Sequence, residues 1–223
     1  MCSIENDIFI ITSVINTGNV GWSYYPQRSI FRPEERFEQT LKTIESIRTY
    51  SKGIIILVEA GLLLEDNLNI LRSLCNYVYY LGEDFETKNN CLLSNCKGLG
   101  DSWLLYKGLE FIKNNNIHGR NIYKISGRYI LNNNYNIDNI SNILPTFKKV
   151  NDNCHVTFFF SVPFTLIYNF ESIILNIINI MKNSSYISIE SILPTAFKEK
   201  HIIETIGCEG IIAIDESKTL YKV

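Results

Sequence analysis

The stretch Lys124-Ile125-Ser126-Gly127-Arg128-Tyr129 places two cations, a hydroxyl and a glycine at the end of a strand-like run. Residues 121–125 read as a short strand. Gly127 would let backbone come close to a ligand, while Lys124, Ser126 and Arg128 offer donors suited to phosphate or sugar oxygens. A tight turn bearing a surface arginine accounts for the same residues equally well.

Further groups repeat this theme. Arg28, Arg32 and Arg36 follow the first apolar run at the start of a helical pattern, where backbone N–H groups favour anions. They would hold a phosphate or diphosphate, or Arg32 and Arg36 would pair with glutamates of their own turn. Glu59 closes a second apolar run, where it would accept hydrogen bonds from a ribose or base edge, or cap the turn that follows. Lys97-Gly98-Leu99-Gly100-Asp101-Ser102 reads as a glycine-containing loop entering a helix capped by Asp101. Such a loop can bring N–H groups and a lysine onto a phosphate, or serve as loop and cap alone. Glu190, near the start of a late helix, is the first candidate for a general base that deprotonates an acceptor hydroxyl. Glu209 comes second, Asp215 is a further rival, and a plain helix-terminal acid satisfying the dipole is the alternative.

Several common chemistries have no support. GxxxxGK[ST], GxSxG, HExxH and CxxC are all absent, which removes the P-loop, nucleophile-elbow and commonest zinc readings. The three histidines share no metal-site spacing.

To position the candidate residues, the chain must form a sheet. Residues 8–14 are a continuous apolar run ending in Thr12 and Ser13, the pattern of a strand buried on both faces. Pro33-Glu34-Glu35 opens a helix with Phe37, Leu41, Ile44 and Ile47 as its stripe. Strands are expected over residues 54–58, 77–81, 121–125, 155–162 and 211–214. Helices are expected over 67–74, 101–113, 170–181 and 187–197, the last interrupted at Pro194, with a polar loop over 82–100. Strands and helices alternate early and become irregular later, which predicts an α/β sheet, parallel first and mixed afterwards. Ligands of open sheets bind at the carboxyl ends of strands, so Thr12, Ser13, Glu59 and the segment from Ser126 to Tyr129 should share one rim.

With 223 residues and 46% hydrophobic content, the chain can bury one sizeable core, and a single domain is expected over 1–223. A net charge of -2 and a pI near 6.0 give no basic face for nucleic acid. The N-terminus is acidic where a signal peptide needs positive charge, and the longest apolar segment, residues 173–181, falls short of the ~20 residues of a membrane span. No transmembrane segment and a cytoplasmic location, with free thiols, are the expectations.

Three blocks carry a family resemblance: the run from Arg28-Ser29-Ile30-Phe31 through Gln39-Thr40 and Thr43-Ile44-Glu45-Ser46-Ile47, then Lys97-Gly98-Leu99-Gly100-Asp101-Ser102, then Lys124-Ile125-Ser126-Gly127-Arg128-Tyr129. Together they resemble GT-A-fold glycosyltransferases of bacterial polysaccharide clusters and large DNA viruses, and Ser188-Ile189-Glu190 with Gly207-Cys208-Glu209-Gly210 extends the likeness along most of the chain. The resemblance implies a GT-A-like, Rossmann-like mixed and mostly parallel sheet flanked by helices, with residues 1–131 binding a nucleotide-sugar donor and 132–223 a glycan acceptor. It places Thr12, Ser13 and Glu59 near the nucleoside, and Lys97, Lys124, Ser126, Gly127 and Arg128 near the diphosphate or donor sugar. A UDP-sugar is the first expectation for the donor. The resemblance also implies Mn²⁺ or Mg²⁺ held by an Asp-X-Asp motif, but Ser126-Gly127-Arg128 stands in its place. Either Arg128 and Lys124 take over from the metal, or other carboxylates, Glu83-Asp84 the nearest, hold it. The same residues leave open a non-catalytic nucleotide- or glycan-binding domain and, more remotely, a nucleotidyltransferase.

Overall fold

The computed structural model describes residues 6–152, 154–184, 188–212, 216 and 218–223. Its main sheet has the strand order β3-β2-β1-β4-β8-β6-β7, with β9 on β6. β1 (Ile8–Ser13), β2 (Ile54–Glu59), β3 (Tyr77–Tyr80) and β4 (Asn121–Ser126) form a parallel half. β8 (Phe159–Pro163) then runs antiparallel to β4 and to β6 (Thr146–Asn151). β6 also takes β7 (Cys154–His155) antiparallel and β9 (His201–Ile203) parallel. The expected α/β class, parallel first and mixed later, is what forms.

The apolar run of β1 is fully buried because it lies mid-sheet between β2 and β4. α1 (Pro33–Tyr50) and α2 (Glu65–Leu74) cover one face, with Ile44, Ile47 and Leu71 packing against Phe9, Ile11 and Leu57. α4 (Lys97–Asn114), α5 (Ile167–Asn183) and α6 (Ile189–Thr195) cover the other, where Leu105 and Leu109 meet Ile10, Val58 and Ile174. A second small sheet joins β5 (Tyr129–Leu131), β10 (Cys208–Ile211) and β11 (Leu220–Lys222), and is tied to α1 where Leu131 N–H donates to the Ser46 hydroxyl at 3.0 Å.

Several expectations change; the strand expected over 155–162, for one, is split into β7 and β8. The polar loop over 82–100 contains α3 (Phe85–Thr87), capped where the Asp84 carboxylate accepts from Thr87 N–H, and a π-helical turn over Lys88–Leu93. α4 begins at Lys97, four residues earlier than expected, so Asp101 lies one turn inside the helix and caps nothing. The last strands are β10 and β11, and the expected strand end at 213–214 lies outside the described residues. Finally, the segment Phe164–Asn183 does meet the length and hydropathy of a membrane span, at mean hydropathy 1.4. Its buried stripe of Phe170, Ile174, Ile177, Ile178 and Met181 belongs to the core shared with α4.

Candidate functional site

The in-register pairs Thr12↔Ser126 and Ser13↔Glu59 end β1, β2 and β4 at one level. Above that rim lies a cavity of about 520 Å³, a size that suits a small ligand. The strand ends supply Thr12, Ser13 and Ser126 through Tyr129. α4 supplies Lys97, Gly98, Gly100 and Asp101, α6 supplies Ile189 and Glu190, and the loop after β1 supplies Trp22 to Tyr24.

The rim is held by close packing. A Cβ on Gly127 would stand 3.2 Å from Ser13 Cβ and Thr40 Oγ1, so glycine lets the end of β4 rest against β1 and α1. Its N–H donates to Thr12 O at 2.9 Å, and its carbonyl accepts from the Thr40 hydroxyl at 3.1 Å. The close approach at this glycine is by the protein's own side chains. Gly98 serves packing in the same way, since a Cβ there would stand 2.8 Å from Met181 Cε of α5.

At the floor, Lys124 is 1% exposed and all three of its ammonium donors are engaged: with Asp101 Oδ2 at 2.6 Å, Ser126 Oγ at 2.8 Å and Thr157 O at 2.9 Å. It therefore cannot approach a diphosphate as the sequence suggested. The Thr12 hydroxyl donates to Asp101 Oδ1 at 2.9 Å, so the carboxylate that faces the cavity is held from two strands. Burial pushes the Asp101 carboxyl up, but Lys124 and Thr12 outweigh it and hold the group below the usual range. Asp101 is a cavity residue that the helix-cap reading concealed.

Three cations remain turned toward the cavity. Arg36, 8% exposed, donates through Nε to Val14 O at 2.7 Å. Burial pushes its guanidinium down to about 9, with Arg128 adding to the fall and Glu59 opposing it. Lys97, the first residue of α4, is also lowered by burial; Glu190 and Asp101 resist the shift, and Arg128 and Lys124 reinforce it. Arg128 is half-buried and donates to Ile211 O at 3.0 Å. None of the three forms an ion pair with a carboxylate among the described residues.

The other two arginines of the early cluster are structural. Arg28 also borders the cavity, but it spends its donors on the carbonyls of Val20, Cys91 and Ser94 and stacks over the Trp22 ring at 4.2 Å, pinning the loop after β1 to the π-helical turn. Arg32 is exposed and pairs with Glu35 at 3.5 Å, as the surface alternative proposed.

Glu59 and Glu209 stand away from the cavity. Glu59 is fully buried, and its Oε1 accepts from Ile15 N–H at 2.9 Å and Gly61 N–H at 2.6 Å, so it caps the turns after β1 and β2. Burial pushes its carboxyl up, against the opposing pull of Ser13 and of the Ile15 and Gly61 N–H groups. Glu209 sits in the small sheet, where it accepts from Asn132 Nδ2 at 2.9 Å and lies 4.0 Å from Lys222. Glu190 does reach the cavity, at the first turn of α6. Its N–H donates to the Ser188 hydroxyl at 3.2 Å, and that hydroxyl donates to Glu190 Oε2. Asp215 lies outside the described residues.

An aromatic wall completes the site. β7 and β8 are interrupted at residues 156–158, and the break leaves Phe158 half-buried at the cavity, where its ring stacks on Tyr129 with centroids 3.8 Å apart and planes 7° apart. Tyr24, 59% exposed, borders the cavity, with Glu190 close enough to act on it electrostatically.

A divalent cation does not fit this lining. Among the described residues Asp101 and Glu190 are its carboxylates, and Asp101 is already ion-paired to Lys124. Glu83 and Asp84 do not border the cavity, and Asp84 caps α3. Among the described residues, no three His, Cys, Asp or Glu side chains cluster as metal ligands.

No family model and no curated protein matches the sequence. Solved structures do show likenesses. A glycosyltransferase involved in the glycosylation of the major capsid of PBCV-1 is 14% identical, with 88% of this chain and 81% of that one covered, at a TM-score of 0.44. Glucosyl-3-phosphoglycerate synthase from Mycobacterium tuberculosis, solved with Mn²⁺, UDP and glucosyl-3-phosphoglycerate, is 11% identical over 65% of this chain and 44% of its own, at a TM-score of 0.34. Both likenesses are distant, and the functional reading stands on the chemistry of the cavity.

Proposed function

We propose that the chain is a glycosyltransferase that moves a hexose or deoxyhexose from a nucleotide diphosphate sugar to a glycan hydroxyl. One observation carries the reading: Arg36, Lys97 and Arg128 border a single cavity without a carboxylate ion pair among the described residues, at the carboxyl ends of β1 and β4. Like charges held together out of water destabilise an empty site, and a polyanion reverses that cost. The first-turn N–H groups of α4 add to the attraction. A diphosphate provides both the charge and the length.

The remaining lining divides the other tasks. Asp101, fixed by Thr12 and Lys124, still has lone pairs toward the cavity for ribose or sugar hydroxyls. The stacked pair Tyr129 and Phe158 offers an apolar surface to a ring. Glu190 is the proposed base. The acceptor oxygen attacks the anomeric carbon and its proton passes to Glu190. The anomeric carbon–oxygen bond to the diphosphate breaks, and the electron pair leaves on the phosphate oxygen under the three cations. Thermal shift with UDP-, GDP- and dTDP-sugars tests the donor site: at least one nucleotide sugar should raise the melting temperature dose-dependently, and a flat response to all of them removes the proposal.

A further inference from the structure

Where a metal-dependent transferase would carry an acidic pair at the end of its fourth strand, this chain carries Ser126-Gly127-Arg128, and the surrounding side chains continue that exchange. Arg128 enters from the strand end, Lys97 from the first residue of α4 and Arg36 from α1, so cations approach the cavity from three separate elements. Among the described residues two carboxylates border it, and each already accepts a hydrogen bond. Asp101 is engaged by Lys124 and Thr12, and Glu190 by Ser188. A dication placed here would meet four like charges, Arg28 included, and only two carboxylates among the described residues, one of them already ion-paired to Lys124. An anionic diphosphate would meet donors from three sides.

We propose that this site receives a diphosphate without a divalent metal, Arg36, Lys97 and Arg128 together providing the charge that Mn²⁺ or Mg²⁺ would otherwise supply. The inference rests on the glycosyltransferase reading for its ligand, but its physical content is narrower: a diphosphate held by side chains alone. Arg128 and Lys97 are the binding cations most open to test, because Arg36 also anchors α1 to Val14 O.

The experiment is calorimetric titration of the intact chain with UDP and, separately, with inorganic pyrophosphate, first in EDTA and then with excess Mg²⁺ or Mn²⁺. Both ligands are expected to bind in EDTA, with affinity changing less than about threefold on adding metal. Lys97→Met and Arg128→Met should each weaken binding by about tenfold or more, as loss of a charge-assisted contact does, with circular dichroism unchanged. Pyrophosphate binding in EDTA with no binding of UDP, and no response to the UDP-, GDP- and dTDP-sugars in thermal shift, would keep this inference and overturn the functional reading. Binding seen only with metal would overturn this inference and leave the functional reading in place. Absence of binding by both ligands under either condition would overturn both.

Discussion

The Lys124 ammonium lies 2.6 Å from the Asp101 carboxylate, joining the middle of the sheet to the second turn of α4 directly below the cavity. Lys124 is almost wholly buried, so each partner is costly without the other. Asp101→Asn and Lys124→Met are each expected to lose about 3 kcal/mol of unfolding free energy. The double variant, which removes both charges, should lose clearly less than the sum of the two. Urea denaturation of the four proteins measures this, and additivity within about 0.5 kcal/mol would show that the pair is not coupled.

Lys97 presents the opposite balance. Its charge is held in a buried setting beside Arg128 with no ion-pair partner among the described residues, so it favours ligand at the expense of the empty fold. Lys97→Met is expected to raise the melting temperature of the ligand-free chain, by an amount worth about 1 kcal/mol, while weakening diphosphate binding. A lower melting temperature would mean that the lysine serves the scaffold.

The depressed pKa of Lys97 also gives a pH signature. Between its lowered folded value and the ordinary lysine value of about 10.4, the unfolded chain binds more protons than the folded one, so stability of the ligand-free protein rises with pH. Affinity for a diphosphate falls across the same window, because the anion binds the charged ammonium that is being lost. Glu190, Arg128, Asp101 and Lys124 are the charges that act on this group, and Lys97→Arg should reduce both trends, leaving the part that Arg36, itself lowered by burial, contributes. Titrations of the two proteins at rising pH check this, and identical slopes would assign the effect to another group.

The rim was readable from sequence because it follows from strand periodicity. The apolar run of β1 fixes a central strand, and parallel pairing then brings Thr12 level with Ser126. The helix boundary near residue 100 was harder to read, since two glycines suggested a loop. In the fold they admit Met181 and the π-helical turn, and α4 starts at Lys97. That shift puts Lys97 and Asp101 one turn apart on the cavity side, and their i,i+4 spacing was the available signal. Glu59 and Glu209 illustrate the converse. An acid in or at the end of a strand looks the same in sequence whether its oxygens meet a ligand or the protein's own donors, and tertiary packing gave Glu59 the Ile15 and Gly61 N–H groups and Glu209 the Asn132 amide. Phe158 had no local signal at all, because its place at the cavity depends on the break between β7 and β8.

Glu59 tests that distinction. Glu59→Gln keeps an oxygen acceptor for the Ile15 and Gly61 N–H groups, so nucleotide affinity is expected to stay within about threefold of the parent chain. A loss of about tenfold or more, measured by the same calorimetry, would return Glu59 to the ligand site.

The most direct measurement is release of nucleoside diphosphate from a panel of nucleotide sugars by the parent chain and by Glu190→Gln, with binding followed in parallel. The account predicts that the parent chain binds at least one donor and releases its diphosphate, by slow hydrolysis or by transfer to an added glycan, and that Glu190→Gln binds it comparably with turnover reduced about 100-fold or more. Donor binding without any release by the parent chain, or equal turnover by both proteins, would contradict it.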